Sequence, residues 1–110
     1  GGFYFGNPAS VLAVSQQYEL PILTVVMDNS GWNAVKQSTL RVFPEGEAKT
    51  TNSFEAELAP NVHFAKIGEA FGAHSEEVSD PADVPVALAR CVKEVRGGRA
   101  ALLHVRVTKL

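Results

Sequence analysis

The segment Ile22-Leu23-Thr24-Val25-Val26-Met27 constrains this chain more than any other. Its six residues are apolar except for one hydroxyl, rich in β-branched side chains, and free of alternation. A strand with one wet face alternates, so an unbroken apolar run predicts a strand covered on both faces, as in a parallel sheet. Pro21 resets the backbone before it, and Asp28-Asn29-Ser30-Gly31 ends it with four consecutive turn residues.

The flanking punctuation predicts helices around that strand. Asn7-Pro8 is an N-cap followed by proline at the first helical position. The helix runs to about Tyr18, with Val11, Val14 and Tyr18 on one face. A short helix follows from Trp32 to about Leu40. Between 41 and 60, Pro44, Gly46, Thr50, Thr51, Asn52, Ser53 and Pro60 break every period, leaving Phe43, Phe54 and Leu58 as isolated anchors. A structureless stretch of that length is usually functional or packs on something else.

Order returns at Asn61, an expected N-cap for a helix whose Phe64, Ile67, Gly68 and Phe71 share one face. Gly72 ends it as a left-handed cap. His74–Ser79 reads as a strand. Asp80-Pro81 or Asp83-Val84-Pro85 opens a helix with the face Val84, Leu88, Cys91, Val92 and Val95, closed by Gly97-Gly98. Ala101–Val107 is the last strand, where Leu103, Val105 and Val107 alternate with His104 and Arg106.

Helices separating short apolar strands give parallel βαβ units, hence an α/β fold: a three-layer parallel sheet with helices on both faces. Three strands make a thin sheet, and Gly1-Gly2-Phe3-Tyr4-Phe5 starts abruptly in apolar residues. The expectation is one domain over residues 1–110, the C-terminal portion of something larger and incomplete at its N-terminus.

Composition narrows the partners. With 45% hydrophobic and 20% charged residues the chain is not a disordered segment. Ten Lys+Arg against 12 Asp+Glu leave no basic stripe for a nucleic acid. No apolar run approaches the ~20 residues of a membrane span, and no signal peptide is visible. The single Cys91 forms no internal disulfide, so a reducing, cytoplasmic setting is expected.

In an open α/β sheet, ligands lie beyond the carboxyl ends of the strands. Asp28-Asn29-Ser30-Gly31 occupies one such end and leads into a helix. Gly1-Gly2 lies just ahead of another helix. Helix N-termini suit phosphate, and Asp28, Asn29 and Ser30 offer the oxygens that a hard cation such as Mg2+ prefers. An Asx-rich turn is also ordinary loop chemistry, so the residue types alone leave both readings open. Trp32 either covers a ligand or plugs the core, and Lys36 and Arg41 either meet a substrate carboxylate or lie in solvent. His63, His74 and His104 share no spacing and read as structural or surface residues, and Cys91 as core.

Spacing adds to this. Taking Gly1 as the last glycine of a Gly-Asp-Gly triplet, 26 residues, Gly2 through Met27, precede Asp28-Asn29. That pattern, with Phe3-Tyr4-Phe5-Gly6-Asn7-Pro8, Tyr18-Glu19-Leu20-Pro21 and Val25-Val26-Met27-Asp28-Asn29, resembles the diphosphate-binding domain of thiamine-diphosphate enzymes. The likeness is greatest to the acetolactate synthase and benzoylformate decarboxylase branch, and Ala65 to Gly72 and the Asp80-Pro81 helix follow its later course. The family's motif joins the triplet to an Asn-Asn pair roughly two dozen residues on. The triplet's Asp is not among these residues, and Asp28 stands where the family has the first Asn.

The resemblance implies thiamine diphosphate and Mg2+ as cofactors. Asn29 would ligate the metal through its side chain and Gly31 through its carbonyl. Gly1 and Gly2 would offer N–H groups to the diphosphate, with Asp28 as an acceptor behind the ligands and Ser30 and Trp32 beside the cofactor. It further implies a 2-keto acid carboligase or decarboxylase, a homo-oligomer whose remaining domains and second subunit supply the catalytic Glu. The alternative is a non-catalytic flavodoxin-like binding or interaction domain.

Overall fold

The computed structural model describes residues 1–109. Leu23–Asp28 forms β1, His74–Val78 forms β2 and Ala101–Arg106 forms β3. All pair in parallel in the order β1-β3-β2, which puts the last strand in the middle. Ala101 through Val105 are consequently all buried. Leu102 and Leu103 are wholly enclosed, each contributing about 2 kcal/mol of hydrophobic stabilisation.

Helices cover both faces, as expected. Among the described residues six are present: α1 (Gly2–Phe5), α2 (Pro8–Gln17), α3 (Asn33–Val42), α4 (Glu47–Thr51), α5 (Ala65–Ala70) and α6 (Val84–Arg96). On one face Leu12 of α2 and Phe64, just before α5, pack with Val26 and Leu102. On the other, Ala87 and Cys91 of α6 pack with Val78, Ala101, Leu103 and Val105.

Capping chemistry sets several boundaries. The Asn7 side chain accepts the Ser10 N–H, with Pro8 starting α2. The Asp80 carboxylate accepts the Ala82 N–H and starts a single 3-10 turn that leads into α6. Gly72, at φ +76, closes α5: its N–H reaches Glu69 O, and the Ala73 N–H reaches Gly68 O. That bond pair is the Schellman pattern.

Several expectations need correction. Val11, Val14 and Tyr18 of the α2 region are exposed, while Leu12 and Ser15 are buried. Residues 11–14 are all apolar, so spacing selects no face. The buried stripe of α6 runs through Ala87 and Cys91, leaving Leu88 at the surface. Asn61 is not a cap: it follows Pro60 in a turn at φ 60, and α5 starts at Ala65. The broken stretch holds α4, and the glycine segment holds α1. β1 is an edge strand with one open face, where Leu23, Val25 and Met27 are 36%, 44% and 63% exposed.

Candidate functional site

Parallel pairing brings the carboxyl ends of β1, β2 and β3 to one edge of the sheet. Asp28, the last residue of β1, begins a tight turn. One of its oxygens, Oδ1, accepts the Ser30 N–H at 2.9 Å, and Asn29 Oδ1 accepts the Gly31 N–H at 3.2 Å. Two overlapping Asx turns therefore hold Ser30 at φ 57, a conformation that costs energy for a non-glycine residue.

A second segment braces that turn. The Trp32 N–H donates to Ala56 O at 2.7 Å and the Leu58 N–H to Ser30 O at 2.9 Å, placing Gly31 opposite Glu57. Ala56 and Gly31 are buried. The end of the broken stretch is thus a strut against the site. Sequence reading found only its isolated anchor Leu58.

Beneath the turn lies a charged network. His104, wholly buried in the central strand, bonds through Nε2 to Asp28 Oδ2 at 2.9 Å. A carboxylate only accepts, so this nitrogen carries the proton. The other ring nitrogen, Nδ1, has no hydrogen-bond partner among the described residues and lies 3.4 Å from Glu77 Oε2. Glu77 accepts from Arg106 Nε at 2.6 Å and bonds His63 Nδ1 at 2.9 Å, while Arg106 also donates to Val62 O.

These contacts set the acidities. Burial pushes the Asp28 carboxyl up, but the bonds from His104 and Ser30 and the charges of His104 and Arg106 bring it below its ordinary value. Burial likewise opposes ionisation of Glu77, and His63 and Arg106 overcome it, lowering the carboxyl to about 2. Both are carboxylates at neutral pH.

The glycine segment closes the other side. Phe3 and Tyr4 of α1 pack edge-on to the Phe64 ring, with centroids 5.2 and 6.1 Å away. A Cβ on Gly1 would lie 2.8 Å from the Trp32 indole, whereas one on Gly2 would meet nothing within 4 Å. Trp32 in turn packs edge-on to Phe5 at 5.3 Å. It covers the glycine rather than plugging the core, and is 39% exposed.

Gly1, Gly2, Asp28, Ser30 and Gly31 thus line one cleft of about 250 Å³, walled by Val26, Leu58 and Phe64. Asn29 faces an adjoining hollow of about 390 Å³, which it shares with Ser30, Glu57 and Lys109. The oxygens that the turn offers to a ligand are Asn29 Oδ1, which also takes the Gly31 N–H, Ser30 Oγ and the Gly31 carbonyl. Among the described residues no hydrogen bond takes that carbonyl. Lys36, by contrast, sits over the Phe54 ring at 5.0 Å.

Sequence reading missed His104. Its place opposite Leu103 and Val105 looked like the polar side of an alternating strand. Only the strand order, with β3 central, buries that side as well. Elsewhere, one ligand atom each from His74, Glu76 and Cys91 lies within 4.8 Å of the others. There Arg90 already holds both Glu76 oxygens, and burial pushes the Cys91 thiol up.

Among the described residues no helix is long and apolar enough to cross a membrane. No curated protein matches the chain. A family model described as thiamine pyrophosphate enzyme, C-terminal TPP binding domain, matches residues 1–105. With a parallel α/β sheet and a glycine-lined cleft at its carboxyl edge, the chain belongs to the C-terminal thiamine-pyrophosphate-binding domain family of thiamine pyrophosphate enzymes.

Proposed function

We propose that residues 1–110 form a thiamine-diphosphate-binding domain that holds the cofactor's diphosphate tail, with Mg2+, in a cytoplasmic 2-keto acid carboligase or decarboxylase most like acetolactate synthase. The observation that carries this reading is the meeting of Asp28, Ser30 and Gly31 with a glycine pair at one cleft, with Asn29 on the hollow that adjoins it through Ser30. The donor set fits the metal, because Mg2+ prefers oxygen ligands and keeps several places for water and phosphate. Asn29 Oδ1 and the Gly31 carbonyl would be the protein's ligands, with Ser30 Oγ beside them.

The open space before Gly2 lets backbone approach a phosphate closely, and Gly1 is kept free of a side chain by Trp32. Lys109 adds a cation on the neighbouring hollow. When bound, thiamine diphosphate supplies an electron sink for breaking or making the bond beside a keto carbon. The residues of this chain bind and orient its tail. Proton transfer at the reactive ring falls to a Glu of another domain, contributed by a second subunit of a homo-oligomer.

The test is turnover by the complete enzyme across a panel of 2-keto acids, with thiamine diphosphate and Mg2+. CO2 release is expected from the complete enzyme and none from the 110-residue chain alone. Silence across the panel would overturn the assignment to 2-keto acids. Steady release from the short chain would overturn the division of labour.

A further inference from the structure

We infer that His104 is a positioning residue for the cofactor site, its Nε2–H clamping Asp28 so that the Asn29-Ser30-Gly31 turn presents its oxygens in one arrangement. The inference rests on the cofactor-binding reading and adds to it a residue outside the cleft lining. Three observations carry it.

The ring is wholly buried on the central strand, 2.9 Å from Asp28 Oδ2, while the other Asp28 oxygen holds the Ser30 N–H at 2.9 Å. A single carboxylate therefore links the sheet interior to the turn backbone. The same ring packs against Phe64 at 5.1 Å, and Phe64 packs against Phe3 and Tyr4 beside the glycine pair. His104 thus touches the supports of both halves of the site. Finally, Nδ1 is buried and has no hydrogen-bond partner among the described residues, the acceptor Glu77 Oε2 lying 3.4 Å away. An apolar side chain would fill the space without that unmet group, so packing alone gives no reason for an imidazole. The bond to Asp28 does.

Groups that hold ligand-bearing segments typically change metal affinity by about 10- to 100-fold when removed. Two variants in the complete enzyme separate the donor from the bulk. His104→Leu keeps volume and loses the N–H, and His104→Gln keeps an N–H that can reach Asp28. Hydrogen exchange of the cofactor-free protein reads the turn directly, and calorimetry with thiamine diphosphate at fixed Mg2+ reads the site.

His104→Leu is expected to speed exchange at Ser30 and Gly31 and to weaken cofactor binding about tenfold or more. His104→Gln is expected to leave both near the parent. Parental exchange and affinity in the Leu variant would overturn the inference. So would a Gln variant that loses about tenfold, which keeps the test open should the Leu variant fail to fold. An Asn29→Ala control reports on the underlying reading separately. Unchanged cofactor affinity there would remove the metal-site assignment while leaving the exchange result to judge the clamp.

Discussion

His104 Nε2 and Asp28 Oδ2 lie 2.9 Å apart although 76 residues separate them in the chain. The contact exists because β1 and β3 are neighbours, with Val26 beside His104 and Asp28 beside Arg106. It also gives a physical reason for a carboxylate where the resembled family carries Asn: a buried imidazole donor faces that position. Asp28→Asn keeps an acceptor for the Ser30 N–H, and the ring can present its other tautomer to the amide. Cofactor affinity measured by calorimetry should fall less than about threefold, well under 1.4 kcal/mol. A tenfold loss would show that the charge itself matters.

Acid should loosen the carboxyl edge of the sheet. Glu77 is held at about 2 against an ordinary 4.5, with burial opposing and His63 and Arg106 favouring the charged form. Glu76 is also lowered to about 2, chiefly by Arg90. A depressed carboxyl stabilises the fold above its unfolded value and loses that contribution as pH falls through the folded one. The stability gap between the parent and Glu77→Gln should therefore narrow from pH 4.5 down to about 2. Chemical denaturation at several pH values would show it. A gap independent of pH would contradict the network.

Gly68 lets α5 lie close to the sheet. A Cβ there would clash with Ser75 Oγ and lie 3.0 Å from Leu102 Cβ. Gly68→Ala should destabilise by about 1–3 kcal/mol, the usual cost of overpacking. The drop in denaturation midpoint would measure it. An unchanged midpoint would mean that α5 moves away freely.

The open face of β1 sets the behaviour of the isolated chain. Val25 and Met27 lie beside Val84, Leu88 and Val107 in an apolar groove of about 710 Å³. As an edge strand, β1 also leaves backbone groups unpaired. The 110-residue chain is expected to self-associate or to melt at low temperature, and Met27→Lys to reduce association. Sedimentation and thermal melts test this. A monodisperse monomer melting cooperatively above roughly 60 °C would contradict it.

Much of this architecture was legible in residue order. The unalternating run gave β1, Asn7-Pro8 gave the start of α2, and Gly72 gave the end of α5, because each signal is local. Faces were less legible. Val11, Val14, Tyr18 and Leu88 lie at the surface against expectation because α2 and α6 carry apolar residues on more than one side. The turn Asp28 to Gly31 stood out as punctuation, whereas its supports did not. Ala56 reaches the Trp32 N–H through backbone alone, which leaves no side-chain signature. His104 becomes meaningful only once the order β1-β3-β2 puts carboxylates on both sides of it.

The central claim is that Asn29 and Gly31 carry the metal that fastens the diphosphate. Asn29→Ala removes the side-chain oxygen and its bond to the Gly31 N–H, while the Asp28–Ser30 turn and the backbone bonds from Ala56 and Leu58 still hold the loop. The decisive measurement is calorimetric titration of the complete variant enzyme with thiamine diphosphate in the presence of Mg2+, alongside a thermal melt. Loss of detectable cofactor binding with an unchanged melt of the cofactor-free protein is the predicted result. Thiamine diphosphate affinity equal to that of the parent would contradict the account.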